Sequence, residues 1–198
     1  MPGTRTSGQP SVTRRSTPPV RLTLVDLPDD GPALVDLVSS HEYPFHVRRH
    51  PTRADVESRL VDGSYLDEDH ATYWVDHATE GRIGVVTLED LSDDTPMLDL
   101  RLVTAARGRG IGRLVLEAVT DLVFTTMPEA RRFEGQTRED NVAMRKTFLR
   151  AGFLKEAHYR EGWPVDGGEP LASVAYAILR RDWQSGTITP FVWEDLEA

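Results

Sequence analysis

The chain has 198 residues, a formal charge of −9, 39% hydrophobic residues and 28% charged ones, the balance of one globular domain with a sizeable core. Its acidity excludes broad nucleic-acid binding, which needs a basic face, and no apolar run reaches the ~20 residues of a membrane-spanning helix. With no cysteine, disulfides, thiolate metal sites and a cysteine nucleophile are excluded together.

Residues 1–19 hold Pro, Gly, Ser, Thr and Arg without an apolar stretch. That composition predicts a mobile tail and no secretory signal, with the cytoplasm as the expected compartment. Residues 20–26 alternate apolar and polar side chains and read as a strand. A helix is predicted over 27–40, opened by Pro28, Asp29 and Asp30 and carrying Leu34, Leu37 and Val38 at helical spacing. Pro44 interrupts, and a second helix follows over 52–61 with Thr52 as N-cap. Residues 71–77 and 82–91 read as strands joined at Glu80 and Gly81, and 97–103 as a further strand.

A glycine-rich segment at 107–112 then leads into a helix reaching about Phe124, and Pro128 stops it. A strand is expected over 132–137 and a helix over 141–151, ended by Gly152. Residues 153–159 and 171–181 form a predicted antiparallel pair around a Gly/Pro-rich loop. Apolar Ile188, Phe191, Val192 and Trp193 are expected to dock a C-terminal extension, 186–198, on the domain spanning 20–185. This order of elements predicts a mixed α/β domain.

The chemistry concentrates where the strand ending near Val103 meets the next helix. Gly108, Gly110 and Gly112 let the backbone bend tightly and approach a ligand closely. The free amides and dipole of a helix start attract anions, and Arg107, Arg109 and Arg113 add positive charge there. A diphosphate cradle follows from that chemistry. It is not a P-loop, because Arg113 and Leu114 stand where Lys and Ser/Thr are required. Nor is it the dinucleotide fingerprint, whose glycine spacing differs.

Arg107-Gly-Arg-Gly110-Ile-Gly112 resembles the R/Q-x-x-G-x-G/A signature of the GNAT superfamily of N-acetyltransferases. Asn141, followed eleven residues later by Gly152 and then Phe153, is similar to that superfamily's second motif. The segment Tyr176-Ala-Ile-Leu-Arg-Arg-Asp-Trp183 resembles the final strand of the ribosomal-protein N-terminal acetyltransferase branch. The resemblance implies a twisted, mostly antiparallel mixed sheet, splayed where the cofactor enters, with helices on both faces. It implies acetyl-CoA as co-substrate and no metal. It places the backbone at Leu100 and Leu102 beside the pantetheine arm, and the amides of Gly108, Arg109, Gly110, Ile111, Gly112 and Arg113 on the pyrophosphate, with Arg107 and Phe148 also in the cofactor site. Asn141 would bond the pantetheine region, cap its helix, or both.

The implied reaction is direct attack by a primary amine, from a protein N-terminus or a small molecule, on the acetyl thioester. It needs a proton acceptor and donors for the oxyanion. Asp99, an acid in mid-strand, is the first candidate base, with Glu89 weaker; an aspartate occupies a similar position in aminoglycoside 6′-acetyltransferases. Positions where relatives carry a base or an acid hold Gln136, Phe148 and Met144 here, so Tyr159 is the candidate acid. Tyr43 and Phe45 fall in the segment expected to border the acceptor pocket, and net acidity favours a cationic acceptor through steering. His41, His46 and His50 lack metal-pair spacing. The missing Tyr and Ser leave a rival, an acetyl-CoA-binding regulatory module without catalysis, and the apolar C-terminal segment allows a homodimer.

Overall fold

The computed structural model describes residues 19–193. The expected N-terminal tail, up to residue 18, and residues 194–198 of the extension lie outside them. Seven strands form one sheet: β1 (Val20–Leu24), β2 (Ala71–His77), β3 (Gly81–Glu89), β4 (Met97–Leu102), β5 (Arg132–Arg138), β6 (Leu154–Trp163) and β7 (Leu171–Leu179), in the spatial order β1-β2-β3-β4-β5-β7-β6. Every pairing is antiparallel except β4 with β5. The sheet is therefore mixed and mostly antiparallel, as expected. Helices α1 (Gly31–Ser39) and α2 (Arg53–Val61) pack on one face, and α3 (Ile111–Thr126) and α4 (Val142–Arg150) on the other.

Local chemistry fixes these elements. Thr52 caps α2 in a full capping box with Asp55, satisfying two otherwise orphan donors. On α3, Val115, Leu116, Val119 and Val123 recur at helical spacing and are fully buried against the sheet. Leu34, Val35 and Val38 of α1 do the same on the opposite face with Val85 and Trp74. Three to four such side chains on one helix contribute roughly 1.5–3 kcal/mol each on burial.

The C-terminal region differs from expectation. Residues 180–185 are a short helix, α5 (Arg180–Ser185), instead of a continuing strand. The Arg180 guanidinium explains the turn: it donates to the carbonyls of Phe124, Met127 and Ala130, at and beyond the end of α3. Trp183 then packs on Phe124 and donates its Nε1–H to Asp121. Beyond it, Thr189 is tied to Asp182, but Ile188, Phe191, Val192 and Trp193 remain about half or more exposed. Their apolar surface is not buried on the domain.

One feature of the sheet positions the site. The parallel β4–β5 ladder has only two register pairs, Met97 with Glu134 and Leu98 with Gly135. Past Leu98, β4 stays with β3 as far as Leu102, while β5 follows β7 to Arg138. The sheet opens into a V there, leaving one edge of β4 from Asp99 onward without a strand partner among the described residues.

Candidate active site

Two cavities meet in that V. The first, about 420 Å³, runs from Leu100 and Leu102 past Gly108, Gly110 and Gly112 to Lys146 and Arg150 of α4. The second, about 440 Å³, lies over Glu89, Asp99 and Arg101, walled by Phe45 to Arg48, Arg59, Gln136 and Trp163. Phe45, His46, Leu100, Asn141 and Met144 line both, so the two form one continuous cleft with these residues at its waist.

The glycine-loop end is built for an anion through its main chain. Gly108 and Gly110 have φ of +72° and +80°, conformations that L side chains adopt only with strain. A short 3₁₀ turn, Thr104–Ala106, and these two glycines bring the chain to the head of α3 with the amides of 108–112 finding no backbone acceptor among the described residues. The arginines there do other work. Arg107 donates to Leu102 O and Glu42 O, strapping the loop to β4 and to the segment after α1. Arg109 pairs with Glu80, and Arg113 with Glu117 one turn along α3. The side chain of Ile111 is core, so only its amide is available. Lys146 and Arg150 are the cations lining this cavity beside Arg107; Arg145 is turned to Glu139 O and to the Tyr176 hydroxyl.

Asn141 accepts from the Met144 amide as N-cap of α4 and donates from Nδ2 to Thr137 Oγ1. It also lines the waist. Phe148 stacks on Tyr176 with ring centroids 5.0 Å apart and lines the second cavity, not the glycine-loop one. Its ring lies over Gly135, where an added Cβ would come within 2.5 Å of it.

At the second cavity, Asp99 is fully committed. Arg101 donates to its Oδ2 from Nε and Nη2 at 3.0 and 2.9 Å, and His46 Nε2 lies 2.8 Å from Oδ1. Burial would push this carboxyl up; the Arg101 charge first, then His46, outweighs it and holds the group far below the usual carboxylate range. A carboxylate so held is a poor proton acceptor. Because an ionised carboxylate only accepts, His46 donates through Nε2–H, and in the neutral ring Nδ1 then carries the free lone pair. This is an oriented imidazole at the waist of the cleft, 53 residues away in sequence from the carboxylate that orients it.

Glu89 stands on the same sheet face. It is opposite Met97, and Thr87 is opposite Asp99, so Glu89 is a diagonal neighbour of Asp99. Burial first, then the Asp99 charge, raises its carboxyl above the ordinary range. It makes no hydrogen bond or ion pair within the described residues. Tyr43 is 2% exposed, is flanked by Arg101 and Arg107 and borders the glycine-loop cavity; its hydroxyl is buried with no partner among the described residues. Burial pushes its phenol up to about 12 despite the two guanidinium groups. Phe45 lies under Arg138 and borders both cavities. Tyr159 is the residue the fold does not bring in. It sits on β6 opposite Ser173, 52% exposed, and lines neither cavity.

From sequence, His46 is weighed as a metal ligand and falls in the segment, 42–50, expected to border the acceptor pocket, but it has no catalytic role there, and Arg59 and Trp163 do not stand out. Their signal is tertiary: a loop, a helix end and an edge strand converge on one cavity. Among the described residues, no group of three or more His, Cys, Asp or Glu could hold a metal. No described helix is long and apolar enough to cross a membrane.

With this geometry in view, the acetyltransferase (GNAT) domain family matches residues 21–154. The chain belongs to that family and is an N-acetyltransferase, in agreement with the resemblance carried by its glycine-rich turn and Asn141 motif. Solved structures share the fold. The spermidine N-acetyltransferase from Vibrio cholerae, in complex with CoA and spermine, is 17% identical over 84% of this chain and 98% of its own, with a TM-score of 0.66. A chimera of that enzyme with hSSAT gives a TM-score of 0.69 at 16% identity, over 84% and 98% of the two chains. RimL, a ribosomal L7/L12 alpha-N-protein acetyltransferase in complex with coenzyme A, gives 0.68 at 17% identity, over 82% and 95%. No curated protein sequence matches the chain.

Proposed function

We propose that the protein transfers an acetyl group from acetyl-CoA to a primary amine, by direct attack at the waist of the cleft. The observation that carries this reading is the junction itself: an anion-binding helix start and a cavity lined with acid and imidazole groups open into each other beside an unpaired strand edge. The main chain of β4 at Leu100 and Leu102 pairs with the pantetheine arm as an added strand would. The amides of 108–112 hold the pyrophosphate, and Lys146 and Arg150 approach the adenosine phosphate. Arg107 and Arg109 act through the loop they brace, since their donors are already engaged, and Arg113 is paired with Glu117 along α3.

His46 is the proton acceptor, and Asp99 orients it. This changes the role read from sequence, where Asp99 itself was the base. The amine nitrogen attacks the thioester carbonyl, the carbon–sulfur bond breaks, and the amine proton passes to His46 Nδ1 directly or through a water. The thiolate leaves without a side-chain acid. Tyr159 is too far outside the cleft, and the Tyr43 phenol, made less acidic by burial, can donate a hydrogen bond to sulfur but not a proton. Acetyl-CoA turnover measured as thiol release against an amine panel tests this; coenzyme A binding without any thiol release would favour the regulatory-module reading instead. A cytoplasmic location and a homodimer built on Ile188, Phe191 and Trp193 belong to the same proposal, and sedimentation of the F191D variant beside the wild type tests the dimer.

A further inference from the structure

The second cavity contains more unspent polar chemistry than acetyl transfer requires. Of its guanidinium groups, Arg101 is bound to Asp99 and Arg48 pairs with Asp55. Arg59, at the end of α2, lies half-buried with its Cζ 4.8 Å from the Tyr65 ring centroid. It has no ion pair and no hydrogen bond among the described residues. From β6, Trp163 also lines the cavity, and its indole Nε1–H is buried with no partner among the described residues. Glu89 is the one unpartnered carboxylate among the residues lining this cavity.

Buried donors without acceptors are costly, so their arrangement indicates what the site is shaped to receive. A polyamine offers only N–H donors and methylenes. It would satisfy Glu89, but it would leave the Trp163 indole unmatched and set further positive charge against Arg59. An amine that also carries a carboxylate matches all three: ammonium to Glu89, carboxylate oxygens to the Arg59 fork and the indole N–H. A volume of about 440 Å³ suits a molecule the size of an amino acid or dipeptide end.

Resting on the acetyltransferase reading above, we infer that the acceptor is an amine bearing a nearby carboxylate, with its ammonium on Glu89 and its carboxylate on Arg59 and Trp163. The shared chemistry has two sources, a small amino-acid-like molecule and the acidic N-terminus of a longer polypeptide. The test measures thiol release from acetyl-CoA with alanyl-glutamate, uncharged alanyl-glutamine amide, a decapeptide beginning alanyl-glutamate, and spermidine. Calorimetry with coenzyme A runs alongside on the same protein.

The expected result is a kcat/KM for alanyl-glutamate about tenfold or more above that for the amide, as one charge-assisted contact supplies. R59Q should collapse that ratio towards one by raising KM for the acid, and W163F should lower it partway. A decapeptide preferred over the dipeptide assigns the polypeptide source, and the reverse assigns the small molecule. Equal rates with acid and amide, spermidine as the best acceptor, a ratio that survives in R59Q, or no turnover of any of the four by a protein that binds coenzyme A would each overturn the inference and leave the cofactor reading standing. Absence of coenzyme A binding overturns both.

Discussion

At the scale of single residues, the site turns on what each charged group is already doing. Asp99 looked like a base because an acid in mid-strand is out of place unless something holds it. Something does: Arg101, 10% exposed, and His46, 25% exposed, share its two oxygens. Removing the carboxylate charge would leave a buried guanidinium without compensation, which costs about 3–5 kcal/mol for a buried pair. Asp99→Asn is therefore expected to lower the melting temperature as well as kcat. His46→Ala should separate the two effects. It leaves the Asp99–Arg101 pair intact, so thermal stability should hold while kcat falls about a hundredfold or more with unchanged KM for acetyl-CoA. A variant with normal turnover would remove His46 from the mechanism.

Glu89 carries the opposite signature. Its carboxyl is raised from 4.5 in the fold, so the native state holds its proton more tightly than the unfolded chain does. Stability from this group is fully present below the unfolded value and is lost as pH rises through the window between 4.5 and the raised native value. Above that window the ionised group strains the fold. Glu89→Gln should thus be more stable than the wild type at neutral pH and indistinguishable from it well below pH 4, read by denaturant midpoints at the two pH values. The same change should weaken amine binding, so stability and activity are expected to move in opposite directions.

At the scale of elements, the V between β4 and β5 is set by packing. A Cβ at Gly135 would lie 2.5 and 2.7 Å from Cζ and Cε1 of Phe148 and 3.1 Å from Cδ2 of Leu98, so no side chain larger than hydrogen fits there without displacing them. Gly135→Ala should drive Phe148 off its stack with Tyr176 and cost about 1–3 kcal/mol, seen as a shift in denaturant midpoint at unchanged slope. A neutral outcome would mean that the ring is free to move. Most elements are legible in the sequence because their apolar residues repeat at one period: the 3.6-residue stripe of α3, the alternation in β1, and the punctuating Pro128 and Gly152 mark their own ends. The C-terminal helix α5 is not, because Arg180 is turned by carbonyls some 50 residues earlier, and no local pattern encodes that.

The site divides along the same line. The glycine turn and Asn141 are legible since their roles are backbone geometry and capping, which depend on neighbours in sequence. The partners of Arg107 and Arg109 are not, because Glu42 and Glu80 reach them from distant segments, whereas Arg113 pairs locally with Glu117. Tyr159 illustrates the reverse error. A tyrosine chosen for its chemistry alone falls on the exposed stretch of an edge strand, outside the cleft.

At the scale of the whole molecule, a charge of −9 suggests a protein that draws cations towards itself. Local chemistry decides differently. Inside the second cavity, the charged and buried groups left unpaired among the described residues are a guanidinium, an indole N–H and a single carboxylate, and long-range steering adds little once a ligand reaches them at physiological salt. The fold likewise does not choose the acceptor. One architecture serves both a spermidine acetyltransferase and a ribosomal-protein acetyltransferase at similar TM-scores, and function lives in what lines the cavity.

The central claim is that main-chain amides at the head of α3 hold the phosphates of acetyl-CoA. Gly110 gives the cleanest test, because a Cβ there meets nothing within 4 Å and the cost of a side chain arises only from its φ of +80°. Substitution should cost the fold about 1–2 kcal/mol while displacing the amides that face the ligand. Isothermal calorimetry with coenzyme A is predicted to show saturable one-site binding for the wild type, and affinity reduced at least about tenfold for a folded Gly110→Leu variant, equivalent to one lost charge-assisted hydrogen bond. No heat from the wild type, or equal affinity in the two proteins, would contradict it.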